Sequence, residues 1–249
     1  MADYDNRVLR GQTATGAGVM DEGLKAFMVR VYNYMLIGLG LTGVTAWITA
    51  NTAFGNLFIT QTMVNGQYSV GLTGLGLVAL IAPLGLVLFL SFRIQHMSVG
   101  AAQATFWGYA ALMGIAITPV LLVYTGASVA RVFFITAATF GAMSLWGYTT
   151  KRDLTGMGSF LFMGLIGIII AMVVNMFMQS SMMMFVISVA GVLIFTGLTA
   201  YDTQKIKESY SVNADGSAAG RMAIMGALRL YLDFVNLFLM LLRLFGDRR

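Results

Sequence analysis

The chain has 249 residues, of which 58% are hydrophobic and 10% are charged. Soluble domains carry roughly a quarter charged residues, so the composition excludes a soluble globular protein and predicts a polytopic membrane protein. The chain has no cysteine and a single histidine, His96, which excludes disulfides, thiolate metal sites and histidine-cluster metal sites. The net charge of +5 comes from basic residues scattered over loop positions, so it indicates membrane orientation and not nucleic-acid binding.

The first predicted element is a polar N-terminal tail in the cytoplasm, residues 1–24, which holds too few large apolar residues to bury and is expected to be flexible. It lacks the apolar core of a secretory signal peptide. Residues 25–249 form the predicted membrane domain. A spanning helix needs about 20 apolar residues, and the apolar runs predict seven helices. Their approximate ranges are 28–50, 70–92, 101–123, 131–149, 158–178, 182–204 and 221–244. The predicted fold class is an all-α, seven-helix membrane bundle.

Successive predicted loops alternate between rich and poor in lysine and arginine. The tail and the loops after spans two, four and six are basic, whereas residues 51–69 and 179–181 carry no charge. The positive-inside rule therefore places the N-terminus in the cytoplasm. Seven crossings place the C-terminus outside, where the basic pair Arg248 and Arg249 conflicts with that rule. A last helix that crosses only partly would resolve the conflict, so an incomplete seventh crossing stays open.

Two aspartates stand in the last two apolar runs: Asp202 ends the sixth run and Asp233 lies half-way through the seventh. A charged side chain at membrane depth is costly and usually faces the bundle interior or an aqueous path. Spans six and seven are antiparallel neighbours, so we expect the two carboxyl groups to meet. Two carboxylates at short range in a low dielectric resist double ionisation, so the pair would share a proton near neutral pH. Once that proton leaves, it would bind a hard cation such as Ca²⁺.

Each of these residues also has a structural interpretation. Asp202 precedes Lys205 and is compatible with an interfacial charge cluster. Asp233 lies one helical turn after Arg229, so an intrahelical ion pair is the alternative. Arg93, near the inner end of span two, is a candidate latch that holds an ionised aspartate in a closed arrangement and releases it on protonation. Its alternative role is anchoring at the cytoplasmic surface.

Two motifs resemble one known family. The segments YDTQKI, residues 201–206, and LYLDFVNLFLMLLRLFG, residues 230–246, are similar to the Bax inhibitor-one family, also called the transmembrane Bax inhibitor motif family. The resemblance covers about residues 25–249 and is that of a bacterial member. It implies a seven-helix bundle with the last helix at its centre. It also implies that the protein is a multi-pass protein of the bacterial inner membrane. It also implies a pH-sensitive Ca²⁺ leak in which Asp202 and Asp233 sense protons and calcium and Arg93 is the best match for the latch.

The sequence is compatible with three functions. The first is a calcium leak channel gated by the di-aspartyl sensor. Such a channel is not an enzyme, its partners are the lipid bilayer and calcium ions, and it has no cofactor other than Ca²⁺ itself. The second is a non-transporting regulator of a membrane-bound protease or stress response. The third is an intramembrane aspartyl protease, in which the two carboxyl groups act as base and acid on a water. Asp233 follows Leu230-Tyr231-Leu232, which departs from the Gly-x-Gly motif of that class.

Overall fold

The computed structural model describes the backbone of residues 2–64, 67–211 and 215–249, and the side chains of residues 22–60, 71–211 and 215–249. Seven long helices form the bundle. They are α1 Ala2–Asn51, α2 Gly74–Arg93, α3 Val99–Val123, α4 Gly126–Thr149, α5 Thr155–Met178, α6 Ser181–Ser209 and α7 Gly216–Phe245. All seven are long and apolar enough to span a bilayer. The predicted fold class and the number of spans are confirmed.

Helix α1 continues through the region that the sequence predicts to be a tail. Its stretch of membrane-spanning length begins at Glu22, close to the predicted boundary at residue 24. The side chains of residues 1–21 lie outside the described residues. The prediction of a flexible cytoplasmic tail therefore stays a prediction.

The segment between α1 and α2 contains a β-hairpin that the sequence analysis missed. Its elements are a 3₁₀ helix, Ala53–Leu57, and two antiparallel strands, β1 Ile59–Val64 and β2 Gln67–Leu72. The second span therefore begins at Gly74 and not at residue 70, and Thr73 caps it by accepting a hydrogen bond from the Gly76 backbone N–H at 3.0 Å. Asn65-Gly66 between two β-prone runs is a hairpin signal in the sequence.

Helix α7 is the most buried of the seven helices. In its most apolar stretch 72% of the residues are buried, compared with 17–33% in the other six. It packs against α1, α3, α4 and α6, and it also meets the 3₁₀ helix Ile94–His96 that follows α2. Four of the other spans pack against α7, whereas a central helix would be enclosed by all six. The prediction that the last helix is the centre of the bundle stays a prediction.

The C-terminal tail shows that α7 crosses the bundle completely. Beyond its last turn the chain pairs with the α3–α4 loop: the Thr125 backbone N–H donates to the Asp247 carbonyl, and the Arg249 N–H donates to the Val123 carbonyl, both at 2.9 Å. Arg131 adds an ion pair to the Asp247 side chain at 2.9 Å. Because consecutive spans alternate in direction, the α3–α4 loop lies on the face opposite the α6–α7 connection. The alternative of an incomplete seventh crossing is excluded in this structure.

Single introduced cysteines test this topology, because the chain has no cysteine of its own. Lys151→Cys, in the α4–α5 loop, and Arg248→Cys, in the C-terminal tail, replace exposed side chains. In sealed vesicles of one orientation, a membrane-impermeant maleimide added outside should label only one of the two variants. Labelling of both variants before the vesicles are permeabilised would contradict the complete seventh crossing.

At one glycine of α4 the backbones of α4 and α6 are in close contact. A Cβ at Gly147 would collide with the backbone carbonyl oxygen of Ala200, and a backbone atom cannot rotate away as a side chain can. Gly141 lies in the same helix, and a Cβ there would meet nothing within 4 Å. The two positions therefore form a matched pair that differs in contact with α6.

We predict that Gly147→Ala destabilises the protein by about 1–3 kcal/mol, the usual cost of overpacking a core, because α4 must move away from α6. Gly141→Ala should leave the stability close to that of the wild type. Thermal unfolding of both variants in detergent micelles measures the difference. Equal midpoints for Gly147→Ala and the wild type would argue against the close packing of these two helices.

Candidate ion site between the last two helices

The two aspartates come from α6 and α7, which pack against each other. Asp233 lies in the middle of α7 and only 4% of its surface is exposed, while Asp202 is half-buried about two turns before the end of α6. The two carboxyl groups are close enough to interact. Oδ2 of Asp233 is buried and has no hydrogen-bond partner among the described residues. The structure therefore brings together the two aspartates that the sequence singled out.

Both aspartates line a cavity of about 710 Å³, which is bounded by α2, α5, α6 and α7. Most of its lining is apolar. The other lining residues with polar side chains are Ser159, Tyr201, Arg229 and Asn236. Leu84 of α2 and Phe162 of α5 border the cavity and are also 62% and 59% exposed. The cavity therefore reaches the outer, lipid-facing surface between α2 and α5.

Three polar side chains of α7 share the helix face that borders this cavity. Arg229, Asp233 and Asn236 are spaced four and three residues apart, which places them on one side of a helix. Arg229 is exposed, and its positive charge acts on both carboxyl groups, although it forms no ion pair in the described part of the chain. The site therefore combines two acids with one base at its border.

The neighbours of Asp202 in the sixth-span motif hold α6 in position. The ring of Tyr201 packs against the backbone of Gly158 in α5. The hydroxyl of Thr203 shares a hydrogen bond with Ser144 of α4 at 2.9 Å. The side-chain amide of Gln204 bonds to the backbone of the α4–α5 loop, donating at 2.8 Å and accepting at 2.9 Å. These contacts fix the rotation of α6 that turns Asp202 towards the cavity.

Aromatic side chains fix the rotation of α7 in the same way. The hydroxyl of Tyr231 shares a hydrogen bond with Thr42 of α1 at 2.6 Å, and its ring meets Tyr109 of α3 edge-on at 5.5 Å. Phe234 packs against aromatic rings of α4. Because Tyr231 and Phe234 flank Asp233 and are held by α1, α3 and α4, the carboxyl group is directed to the remaining side, where α6 lies.

The predicted latch, Arg93, is not part of this site. It is the last residue of α2, it is exposed, and it forms no ion pair among the described residues. Leu90 and Ile94 occupy the buried face of this helix end, at 0% and 3% exposure, whereas Arg93 and the neighbouring Phe92 lie outside. The expected contact between Arg93 and the aspartates is therefore wrong for this conformation. The arginine that borders the pair is Arg229, which the sequence offered only as an intrahelical partner.

Few oxygen ligands converge on the site. Ca²⁺ takes about 6–8 oxygen ligands, and the lining offers the carboxyl groups of Asp202 and Asp233, the amide of Asn236, and the hydroxyls of Ser159 and Tyr201. Only the two carboxyl groups can carry a negative charge near neutral pH. The described residues contain no group of three or more His, Cys, Asp or Glu side chains that would hold a metal ion. A calcium ion at this place would keep much of its water shell, so the arrangement suits brief occupancy more than tight storage.

Comparisons with known proteins identify the family of this fold. The sequence model of the family described as inhibitor of apoptosis-promoting Bax1 matches residues 24–249. An uncharacterized protein of Rickettsia prowazekii is 45% identical over 100% of both chains. The inner membrane protein YbhL of Escherichia coli K12 is 47% identical over 91% of this chain and 94% of its own. An uncharacterized membrane protein of Streptococcus pyogenes is 36% identical over 91% and 94% of the two chains.

Proposed function

We propose that this chain, which belongs to the inhibitor of apoptosis-promoting Bax1 family, is a pH-sensitive calcium leak channel of the bacterial inner membrane with its N-terminus in the cytoplasm. The predicted family is confirmed by the match. The observation that carries the proposal is the pair of interacting carboxyl groups, one of them buried, in a cavity between membrane-spanning helices. The Escherichia coli relative is named as an inner membrane protein, and the basic loops favour the stated orientation.

The carboxyl pair would act as the proton sensor. Two neighbouring carboxylates inside a membrane bundle are costly when both are ionised, so they share a proton and titrate as a unit. At high pH the ionised pair attracts Arg229 and a hard cation. At low pH protonation removes the negative charge and with it the attraction to Arg229. Acidification should therefore make the closed arrangement less favourable.

We assign the described conformation to the closed state. Beyond the aspartates, towards the C-terminal end of α7, the side chains of Leu237, Leu241 and Leu242 are buried at 0–5% exposure. Close-packed apolar side chains leave no room for a hydrated ion. Passage of Ca²⁺ past the pair would thus need α7 to separate from a neighbouring helix on that side.

We predict that Asp202→Asn mimics the protonated pair, so that basal Ca²⁺ flux rises and its dependence on pH flattens. Asp233→Asn should also flatten the pH dependence, with weaker Ca²⁺ binding because one charged oxygen ligand is lost. Ca²⁺ flux into proteoliposomes, measured across a pH series for the wild type and both variants, gives the result.

Asp153→Asn is the matched control for these variants. Asp153 is an exposed carboxylate of the α4–α5 loop, and hydrogen bonds from Thr155 hold its pKa below the usual value, so it stays ionised through the series. Its replacement removes one negative charge outside the cavity, and its pH profile should follow that of the wild type. Identical profiles for all four proteins would eliminate the di-aspartyl sensor.

Arginine substitutions test which residue forms the latch. Arg229→Gln should raise flux at alkaline pH, because the charge that attracts the ionised pair is removed, and should reduce the difference between acidic and alkaline flux. Arg93→Gln removes the same charge from an exposed position at the end of α2 and should leave the pH profile unchanged. The same flux assay compares the two. A larger effect of Arg93→Gln would restore Arg93 as the latch in another conformation.

The other two functions make different predictions in that assay. A non-transporting regulator of a membrane-bound protease would leave proteoliposomes as impermeable to Ca²⁺ as protein-free liposomes at every pH. An intramembrane aspartyl protease would cleave a membrane-spanning peptide, and each of the two Asp→Asn variants would abolish that cleavage. Flux that depends on pH and on the aspartates, without such cleavage, supports the leak channel.

A further inference from the structure

A second cavity lies at the basic face of the bundle, where the 3₁₀ helix after α2 meets the end of α6 and the start of α7. Its volume is about 430 Å³, within the usual range of ~300–1,000 Å³ for small-molecule sites. Buried Ile94, Ile206 and Gly226 form its apolar floor. We refer to it as the basic pocket.

The charged side chains that line the basic pocket are all positive. It contains three basic side chains, Lys205, Arg221 and Arg229, and no acidic one. Neutral hydrogen-bonding side chains also line it, namely Ser91, Gln95 and Ser209. Lys205 is paired with Glu208 at 2.8 Å, so the two arginines supply the positive charge that no ion pair neutralises among the described residues. A pocket of this kind attracts anions.

The guanidinium of Arg221 is short of hydrogen-bond acceptors. One Nη donates to the Ser217 hydroxyl at 3.3 Å, while Nε is buried and has no partner in the described part of the chain. Asp215 is near enough for the charge of Arg221 to act on it, but the two form no ion pair among the described residues. Oδ1 of Asp215 instead accepts from the Ala218 N–H and the Ser217 hydroxyl as the cap of α7. A buried, unpaired donor on a charged group is expensive. An acceptor bound beside Arg221 would satisfy this donor.

We propose that the basic pocket binds a phosphate-bearing anion, supplied either as the headgroup of an anionic lipid or as a free phosphate compound. The guanidinium fork pairs with two phosphate oxygens at once, and Nε is one of its donors. Basic pockets between membrane helices at the cytoplasmic surface are typical lipid-headgroup sites. Met222 and Met225 line the same pocket and offer apolar contact to the carbon atoms next to a headgroup.

Anion binding would also act on the neighbouring ion site, because Arg229 lines both cavities. A phosphate in the basic pocket competes with the carboxyl pair for the charge of this one guanidinium. It would therefore weaken closure and raise Ca²⁺ flux at a given pH. This coupling rests on the proposed function, whereas the anion site itself does not.

Binding is tested on the purified full-length protein in a neutral detergent. The wild type is titrated separately with phosphatidylglycerol, phosphatidylcholine and inorganic phosphate, and the midpoint of thermal unfolding is recorded. We expect phosphatidylglycerol to raise the midpoint and phosphatidylcholine to leave it unchanged. A rise with inorganic phosphate as well assigns the site to free phosphates, and a rise with phosphatidylglycerol alone assigns it to a lipid headgroup. No rise with either anion would overturn the proposal.

Variants locate the site. Arg221→Gln should weaken binding by about tenfold, equivalent to ~1.4 kcal/mol. Arg221→Lys keeps the charge but lacks the forked guanidinium, so its loss of anion affinity should be intermediate. It replaces Arg221→Gln in the test if that variant does not fold. Arg248→Gln removes one charge at the opposite face and should bind as the wild type does. Unchanged binding by both Arg221 variants, or an equal loss in Arg248→Gln, would overturn the proposal.

Flux measurements separate this proposal from the proposed function. Proteoliposomes made with and without phosphatidylglycerol should differ in Ca²⁺ flux at one pH, and Arg221→Gln should remove the difference. Binding without that difference refutes the coupling and leaves the anion site. A pH-dependent flux without anion binding refutes the anion site and leaves the leak channel.

Discussion

A carboxyl group in the middle of a membrane-spanning helix is the constraint on which the rest of this structure depends. Asp233 is 4% exposed, and an ionisable group at this depth cannot face lipid without a large cost in free energy. Helix α7 must therefore lie against protein on that side, as its high burial shows. The other helices can then present large apolar side chains to the bilayer.

Several residues of the two motifs position the site and do not belong to its chemistry. Tyr231 and Phe234 hold α7 against α1, α3 and α4, while Thr203 and Gln204 hold α6 against α4 and the loop before α5. Each of these side chains forms a hydrogen bond or packs against a neighbouring helix. The orphaned Oδ2 of Asp233 is the exception among them. A buried polar atom without a partner lowers the stability of the fold, and functional sites are one place where such atoms occur.

The sequence predicted the number of spans and the meeting of the two aspartates because lipid permits few arrangements of apolar runs and buried charges. It did not predict the hairpin because the absence of lysine and arginine indicates only on which side of the membrane a segment lies, although Asn65-Gly66 is a turn signal. It misplaced Arg93 because the direction of a side chain at a helix end depends on how the chain continues. Here the chain continues into a 3₁₀ helix, which buries Ile94 and leaves Arg93 outside.

In the proposed channel, Arg229 takes the place of Arg93 as the latch, and this changes how closure would work. Arg229 and Asp233 lie on the same helix, so the attraction between them cannot hold two helices together. Asp202 lies on α6, and the charge of Arg229 acts on it as well. In the proposed channel, Asp202 is therefore the carboxyl group whose ionisation would link α6 to α7, while Asp233 would set how readily Asp202 gives up its proton. Under this proposal the two aspartates would have different roles: one would connect the helices, and the other would set the pH at which that connection is lost.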